Sequence, residues 1–201
     1  MAAPHPDNRP DLILASGSVY RKDLLKRIKI EFESISPDIN EASLEDEIPG
    51  DLALRLAQAK AEKIARLNPT AIVIGSDQVA ALGRQLLGKP GDPKTAARQL
   101  AMCSGKAVIF HTAVCVRHEE ANFAETHVDL TTVNFRELSA AEIEAYISTD
   151  KPWDCAGSFK SEGLGTALFE SIENQDPSAI IGLPMIWLTA SLRRAGLSAL
   201  V

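Results

Sequence analysis

Two short apolar runs constrain the fold more than any other feature: DLILA at 11–15 and AIVI at 71–74, each halted by polar residues, SGS after the first and GSDQ after the second. Both are too short for a stable helix, so they read as buried strands. The first runs straight into SVYRKDLLKRI at 18–28, whose Leu24, Leu25 and Ile28 share one helical face and whose Ser18 stands at the N-cap position. A strand, a tight turn and a helix in that order begin an α/β protein. Downstream, the pattern predicts a strand at 31–36, a polar loop over 37–50, a long helix over 51–67 opened by Asp51, and a strand pair or one bent strand across AIVIGSDQVAAL. A helix over 94–103, two long antiparallel strands at 107–118 and 126–138, a capped helix over 139–149, a strand at 166–172 and a last helix near PMIWLTASLRRAG follow. Antiparallel strands in a chain that begins with strand–helix units imply a mixed sheet rather than a purely parallel doubly wound one.

Composition bears mainly on what the chain does not do. At 201 residues, 45% hydrophobic and 24% charged, it is long enough for one substantial domain or two lobes around a cleft, read as a single domain over 11–201 behind a flexible segment at 1–10. No apolar run approaches the roughly 20 residues that span a bilayer, and MAAPHPDNRPD has neither a basic start nor an apolar stretch, so the expectation is a cytoplasmic protein with no membrane partner. Cys103, Cys115 and Cys155 are widely spaced and odd in number, which argues for packing roles and against disulfides or a structural zinc site. A formal charge of -6 disfavours broad nucleic-acid binding, so an anionic ligand has to be met by a local cluster of cations.

Candidates for that cluster follow from the element map. Asp77 either opens a turn or caps a helix after its strand, or holds a metal and activates water at the strand's C-terminal end, where open α/β sheets bind ligands. The SGSVYRK segment joins a strand to a helix, an arrangement that aims backbone N–H groups at an anion, with Arg21 and Lys22 adding charge; the alternative is an ordinary polar turn. Lys89 in GKPG is carried on a Pro-stiffened turn. Lys60 interrupts the Ala-rich surface of AQAKA, where a lysine either snorkels to solvent or serves a partly buried anionic site. Glu41 lies in an acidic loop, and with Asp77 at a neighbouring strand end it would form an oxygen-rich site for Mg²⁺ or Mn²⁺. Arg55 and Arg98 fall on helix surfaces and read as ordinary charges.

Taken together, LILASGSVYRKDLL, SPDINE, AQAKA, IGSDQV, LLGKPG, WDCAGSFKSEGLG and AIIGLP occur in an order and spacing that resembles the Maf family of nucleotide pyrophosphatases over nearly the whole chain. Gln78 and the AGSFKSEG segment resemble the branch that hydrolyses 7-methylguanosine triphosphate; the branch acting on dTTP and UTP typically carries Thr and Gln where this chain has Gln78 and Glu162. The resemblance implies a two-lobed, mixed-sheet Maf/ITPase-like α/β fold with a central nucleotide cleft, a divalent cation (Mg²⁺ or Mn²⁺), and cleavage between the α and β phosphates of a modified nucleoside triphosphate. In that reading Asp77 is the proton acceptor, Glu41 and Asp77 hold the metal, and Ser16, Arg21, Lys22, Lys60 and Lys89 meet the phosphates. Tyr20 would stack on a cationic methylated base, Glu162 would accept from the guanine N1–H and amino group, and Gln78 would read the base or orient the nucleotide. The chain departs from the family at Val19 and Tyr20, where Pro and, in this branch, Trp are frequent; this bears on base preference more than on the reaction. Other readings implied by the family are hydrolysis of another nucleotide such as dTTP or UTP, or a nucleotide-sensing regulator of septum formation in cell division. A homodimer is compatible with the resemblance, and no residue pattern speaks for it.

Overall fold

The computed structural model describes residues 10–200, so nearly all of the segment expected to be flexible at 1–10 lies outside the described residues. Strand β1 (Leu12–Ala15) leads into helix α1 (Val19–Lys26), followed by the short β2 (Glu33–Ser34), α2 (Pro49–Leu67), β3 (Ile72–Leu82), β4 (Gln85–Leu87) and α3 (Pro93–Cys103). Then come β5 (Ala107–His118), β6 (Phe123–Phe135), α4 (Ala140–Asp150), β7 (Phe169–Glu173) and α5 (Met185–Arg194). The strands form one mixed sheet in the order β2-β1-β3-β5-β6-β7, with β4 also paired to β3. β2, β1 and β3 are parallel, whereas β5, β6 and β7 join antiparallel, as the switch from strand–helix units to long adjacent strands implies.

The site is set by β3. It runs parallel to β1 in register from Leu12↔Ile72 to Ala15↔Gly75, and there β1 stops. β3 continues for seven more residues, held on its other side by β5 from Val73↔Arg117 to Ala81↔Ile109. Residues 76–78 therefore lie on an edge that β1 no longer covers, next to the Ser16–Ser18 turn leading into α1. This removes the first reading of GSDQ: Asp77 neither opens a turn nor caps a helix, but pairs with Ala113 inside one continuous strand, where β1 has ended rather than at the C-terminal end of β3 itself. Gly, Ser and Asp are poor strand formers, and the ladder with β5 overrides their local preference.

Strand alternation sorts the side chains. Leu12, Leu14, Ile72 and Ile74 face α1 and α5, packing on Leu24, Leu25, Leu188 and Leu192. Ile13, Ala15 and Val73 face the other way, onto Ile64 and Ala65 of α2. A separate aromatic core, with Phe110, Phe135, Tyr146 and Phe159, joins β5 and β6 to α3, α4 and the 153–169 segment. Ser76 and Gln78 are thus aimed at the α1/α5 side, and Gly75 and Asp77 at α2.

Helix starts follow capping chemistry where the sequence supplies it. Ser18 accepts from the Arg21 backbone N–H, and Ser139 with Glu142 completes a capping box on α4. α2 begins earlier than Asp51 because Pro49 occupies its first turn, where a missing N–H costs nothing; Asp51 remains in that turn. The strand expected at 31–36 shortens to two residues because only Glu33 and Ser34 pair with β1 at the sheet edge. The strand expected from 166 begins at Phe169, since Leu164–Leu168 coil into a tight 3-10 turn around Gly165, where a side chain would collide with the Lys160 carbonyl. Cys103 and Cys115 are buried, as packing residues are, while Cys155 is half-buried; all three are free thiols. Among the described residues no helix is long and apolar enough to cross a membrane.

Candidate active site

A cleft of about 750 Å³ opens where β1 ends, lined by the Ser16–Arg21 turn, Glu41, Lys60, Asp77, Gln78, Lys89 and the 154–162 segment. Its centre is Lys60. The ammonium donates to Asp77 Oδ1 at 2.6 Å and lies 2.7 Å from Glu41 Oε1. With residue 60 only 7% exposed and Asp77 9%, this lysine does not snorkel. It projects from α2 toward β3 because Gly75 lets the helix backbone approach the strand, which brings Lys60 level with Asp77. The Glu41 side chain is largely solvent-exposed. Burial works to raise its pKa, but attraction from Lys60, Lys89 and Arg21 prevails, so the carboxyl titrates below its ordinary value.

Arg21 lines the same cleft. Its Nε donates to Gly182 O at 3.0 Å and Nη1 to Ser16 Oγ at 3.4 Å. Burial lowers its pKa, and the carboxylates of Asp77 and Glu41 oppose that shift. Gly182 has φ 135°, which disfavours other residues, and a Cβ there would sit 3.2 Å from Arg21 Cγ, so a bare backbone is needed to hold the guanidinium in place. Ser16 Oγ also accepts from the Ser18 backbone N–H at 3.2 Å.

Nine of the ten candidate residues gather in this cleft; Lys22 does not line it and instead borders a shallow surface depression with Lys26 and Lys29. Tyr20 lies across from residue 154, its hydroxyl donating to Asp154 Oδ2 at 3.3 Å and lying 3.8 Å from Cys155 Sγ. Burial first, then the neighbouring Cys155 and Asp154, hold the phenol well above its usual pKa, so it stays a neutral donor. Glu162 is exposed at the far side and accepts from Ser161 Oγ at 2.9 Å. Gln78 Nε2 donates to Thr112 Oγ1 at 2.9 Å and to the carbonyls of Ala179 and Ile180 at 3.0 Å.

Sequence patterns alone did not single out several supporting residues. Arg55, read as an ordinary charge, grips Glu47 through Nε and Nη2 at 2.6 and 2.8 Å and donates to Ala42 O at 3.0 Å, tying the loop that carries Glu41 to α2. That hydrogen bond pulls the Glu47 carboxyl down to about 2. Lys160 also lines the cleft, its Nζ held by Asp150 O at 2.9 Å. The only available signal for Asp154 and Lys160 was their place within WDCAGSFKSEGLG; nothing local links residue 154 to residue 20. Arg98 is exposed on α3, in keeping with its reading as a surface charge.

Among the described residues no three His, Cys, Asp or Glu side chains cluster as a self-sufficient metal cage. Two carboxylates in a cleft lined by Arg21, Lys60, Lys89 and Lys160 do suit Mg²⁺ or Mn²⁺, since Mg²⁺ is commonly held by one or two carboxylates with substrate phosphate oxygens and water filling the remaining positions. The ensemble of cations facing two carboxylates at an open strand edge is suited to binding a polyphosphate and delivering water to it.

The chain is similar to known proteins along nearly its whole length. The chain is 51% identical to the 7-methyl-GTP pyrophosphatase of Albidiferax ferrireducens over 94% of its own length and 95% of that protein's. It is 50% identical to the protein of that name from Cupriavidus metallidurans, covering 94% and 96%, and 51% identical to that from Bordetella avium, covering 95% and 96%. Among solved structures, a HAM1 protein from Coxiella burnetii superposes with a TM-score of 0.51 over 92% of this chain and 99% of that one at 12% identity, a likeness of fold alone. A family model described as Maf-like protein matches residues 11–195, and on that span and those identities the chain belongs to the Maf family.

Proposed function

We propose that the protein hydrolyses 7-methyl-GTP between the α and β phosphates, releasing 7-methyl-GMP and pyrophosphate, and so clears a modified nucleotide from the cytoplasmic pool. The observation that carries this reading is the buried Lys60 ammonium shared by Asp77 and Glu41, with Arg21 lining the same nucleotide-sized cleft. Relatives named as 7-methyl-GTP pyrophosphatases at about half identity support the choice of base. Asp77 takes the proton of the attacking water while Lys60 holds its carboxylate in place. Glu41 and Asp77 would hold Mg²⁺ or Mn²⁺, whose chemistry is to neutralise phosphate charge and lower the pKa of bound water. Ser16, Arg21, Lys60 and Lys89 face the polyphosphate; Lys22, outside the cleft lining, takes no part.

Base preference rests on Tyr20, Glu162 and Gln78, which also line the cleft. A methylated guanine is cationic, so an aromatic face and a carboxylate both favour it over a neutral pyrimidine. The test is pyrophosphate release from 7-methyl-GTP, GTP, dTTP, UTP and CTP, with Mg²⁺ or Mn²⁺ and with a chelator. Metal-dependent preference for 7-methyl-GTP is the expected result; preference for dTTP or UTP would keep the reaction and remove the base assignment. Glu162→Gln, which trades one acceptor and the charge for a donor, lowers the kcat/KM ratio of 7-methyl-GTP over UTP about tenfold while UTP turnover persists. An unchanged ratio would remove Glu162 from base reading.

A further inference from the structure

We infer that Thr112 is a positioning residue that locks the Gln78 amide with its oxygen toward the cleft, making residue 78 an acceptor that favours bases with N–H and amino donors on their pairing edge. This rests on the base reading proposed above. Gln78 in β3 and Thr112 in β5 are direct partners in the antiparallel ladder, so their side chains share one face. Thr112 is fully buried, and its hydroxyl has one proton to give. It donates that proton to Ala179 O at 3.0 Å, leaving its lone pairs for Gln78 Nε2 at 2.9 Å. The carbonyls of Ala179 and Ile180, each 3.0 Å from Nε2, can only accept.

An amide flipped end for end would set its own oxygen against those two carbonyl oxygens and against a hydroxyl whose proton is already engaged. Three acceptors around one position therefore dictate the nitrogen there, which settles the orientation by chemistry. Oε1 is left on the opposite side of a half-buried side chain that lines the cleft, and among the described residues it accepts no hydrogen bond. Guanine offers N1–H and its 2-amino group side by side to such an acceptor, whereas uracil and thymine flank their single N–H with carbonyls and are repelled. Without the Thr112 hydroxyl the amide keeps only the two carbonyls, and the Ala179 carbonyl itself loses its tie to β5, so the amide is held less firmly and turns more readily.

The phosphate side does not depend on this hydroxyl, because Gly182 O, two residues beyond Ile180, is held separately by Ser76 Oγ and Arg21 Nε, both at 3.0 Å. A discrimination readout therefore separates positioning from general structure. Thr112→Val keeps the shape and removes the hydroxyl; Thr112→Ser restores it. The expected result is a roughly tenfold fall in the 7-methyl-GTP over UTP ratio of kcat/KM in Thr112→Val, with UTP turnover undiminished and recovery in Thr112→Ser. An unchanged ratio, or an equal loss on both nucleotides, overturns the inference; if Thr112→Val does not fold, Thr112→Ala is measured in its place. A second readout is free of substrate: in protein labelled with ¹⁵N-glutamine, the Gln78 side-chain amide signals, assigned by their loss in Gln78→Met, are protected from exchange in the wild type and lose protection in Thr112→Val. Unaltered signals overturn the lock. A wild type that does not prefer 7-methyl-GTP would instead defeat the base reading, and the amide signals would then decide by themselves whether Thr112 holds Gln78.

Discussion

Replacing Asp77 by Asn lowers kcat/KM for 7-methyl-GTP by about 10³-fold or more and leaves a folded protein whose unfolding midpoint moves by only a few degrees. The carboxylate is both the proton acceptor and one of the two groups that would hold the metal, so a single exchange removes two contributions to the same step. Stability is spared because the Asn side-chain oxygen occupies nearly the same position and still accepts from Lys60, whose ammonium keeps Glu41 as a second partner. Activity assays paired with thermal unfolding check both halves. Turnover within about tenfold of wild type would remove Asp77 as the base.

The largest effect on stability belongs to Gly75→Ala. A Cβ at this position would overlap the Ala57 carbonyl oxygen, and would lie 2.5 Å from the Ala61 nitrogen and 2.8 Å from Ala61 Cβ. Two of these three atoms are helix backbone and cannot turn aside, so α2 has to move off the sheet. That separates Leu56, Ala57 and Ala61 from Val79, Ala113 and Cys115, and draws Lys60 away from Asp77. Overpacking at a rigid contact costs about 3 kcal/mol or more, equivalent to a fall of roughly 10 °C in the unfolding midpoint for a chain of this size. Chemical denaturation and calorimetry measure it; a midpoint within about 2 °C of wild type would mean that the helix–strand contact is looser than described. Activity falls in parallel, because the same contact sets the reach of Lys60.

The local patterns in this sequence carry most of the elements and few of the contacts. α1 was readable because Ser18 caps it and Leu24 and Leu25 mark its buried face, and the paired long strands announced a mixed sheet. GSDQ was ambiguous because its residues prefer turns, and only pairing with Thr112–Cys115, far along the chain, makes it a strand. The same limit applies to the site. Lys60 stood out as a charge on an Ala-rich surface, but whether it snorkels depends on Asp77 and Glu41, which meet it only in three dimensions. Arg55 looked like any helix-surface arginine until the 41–48 loop folded back onto it, and Lys22, next to Arg21 in sequence, faces away because successive helix positions point about 100° apart. The residues of the cleft were legible one by one; their partnerships were set by the tertiary fold.

Hydrolysis at the α–β linkage of 7-methyl-GTP is tested most directly by separating and identifying the products formed by the purified protein with Mg²⁺. The expected products are equal amounts of 7-methyl-GMP and pyrophosphate, with no 7-methyl-GDP and no products when a chelator is present. Formation of 7-methyl-GDP and orthophosphate, or binding of the nucleotide without any turnover, would contradict hydrolysis at that linkage.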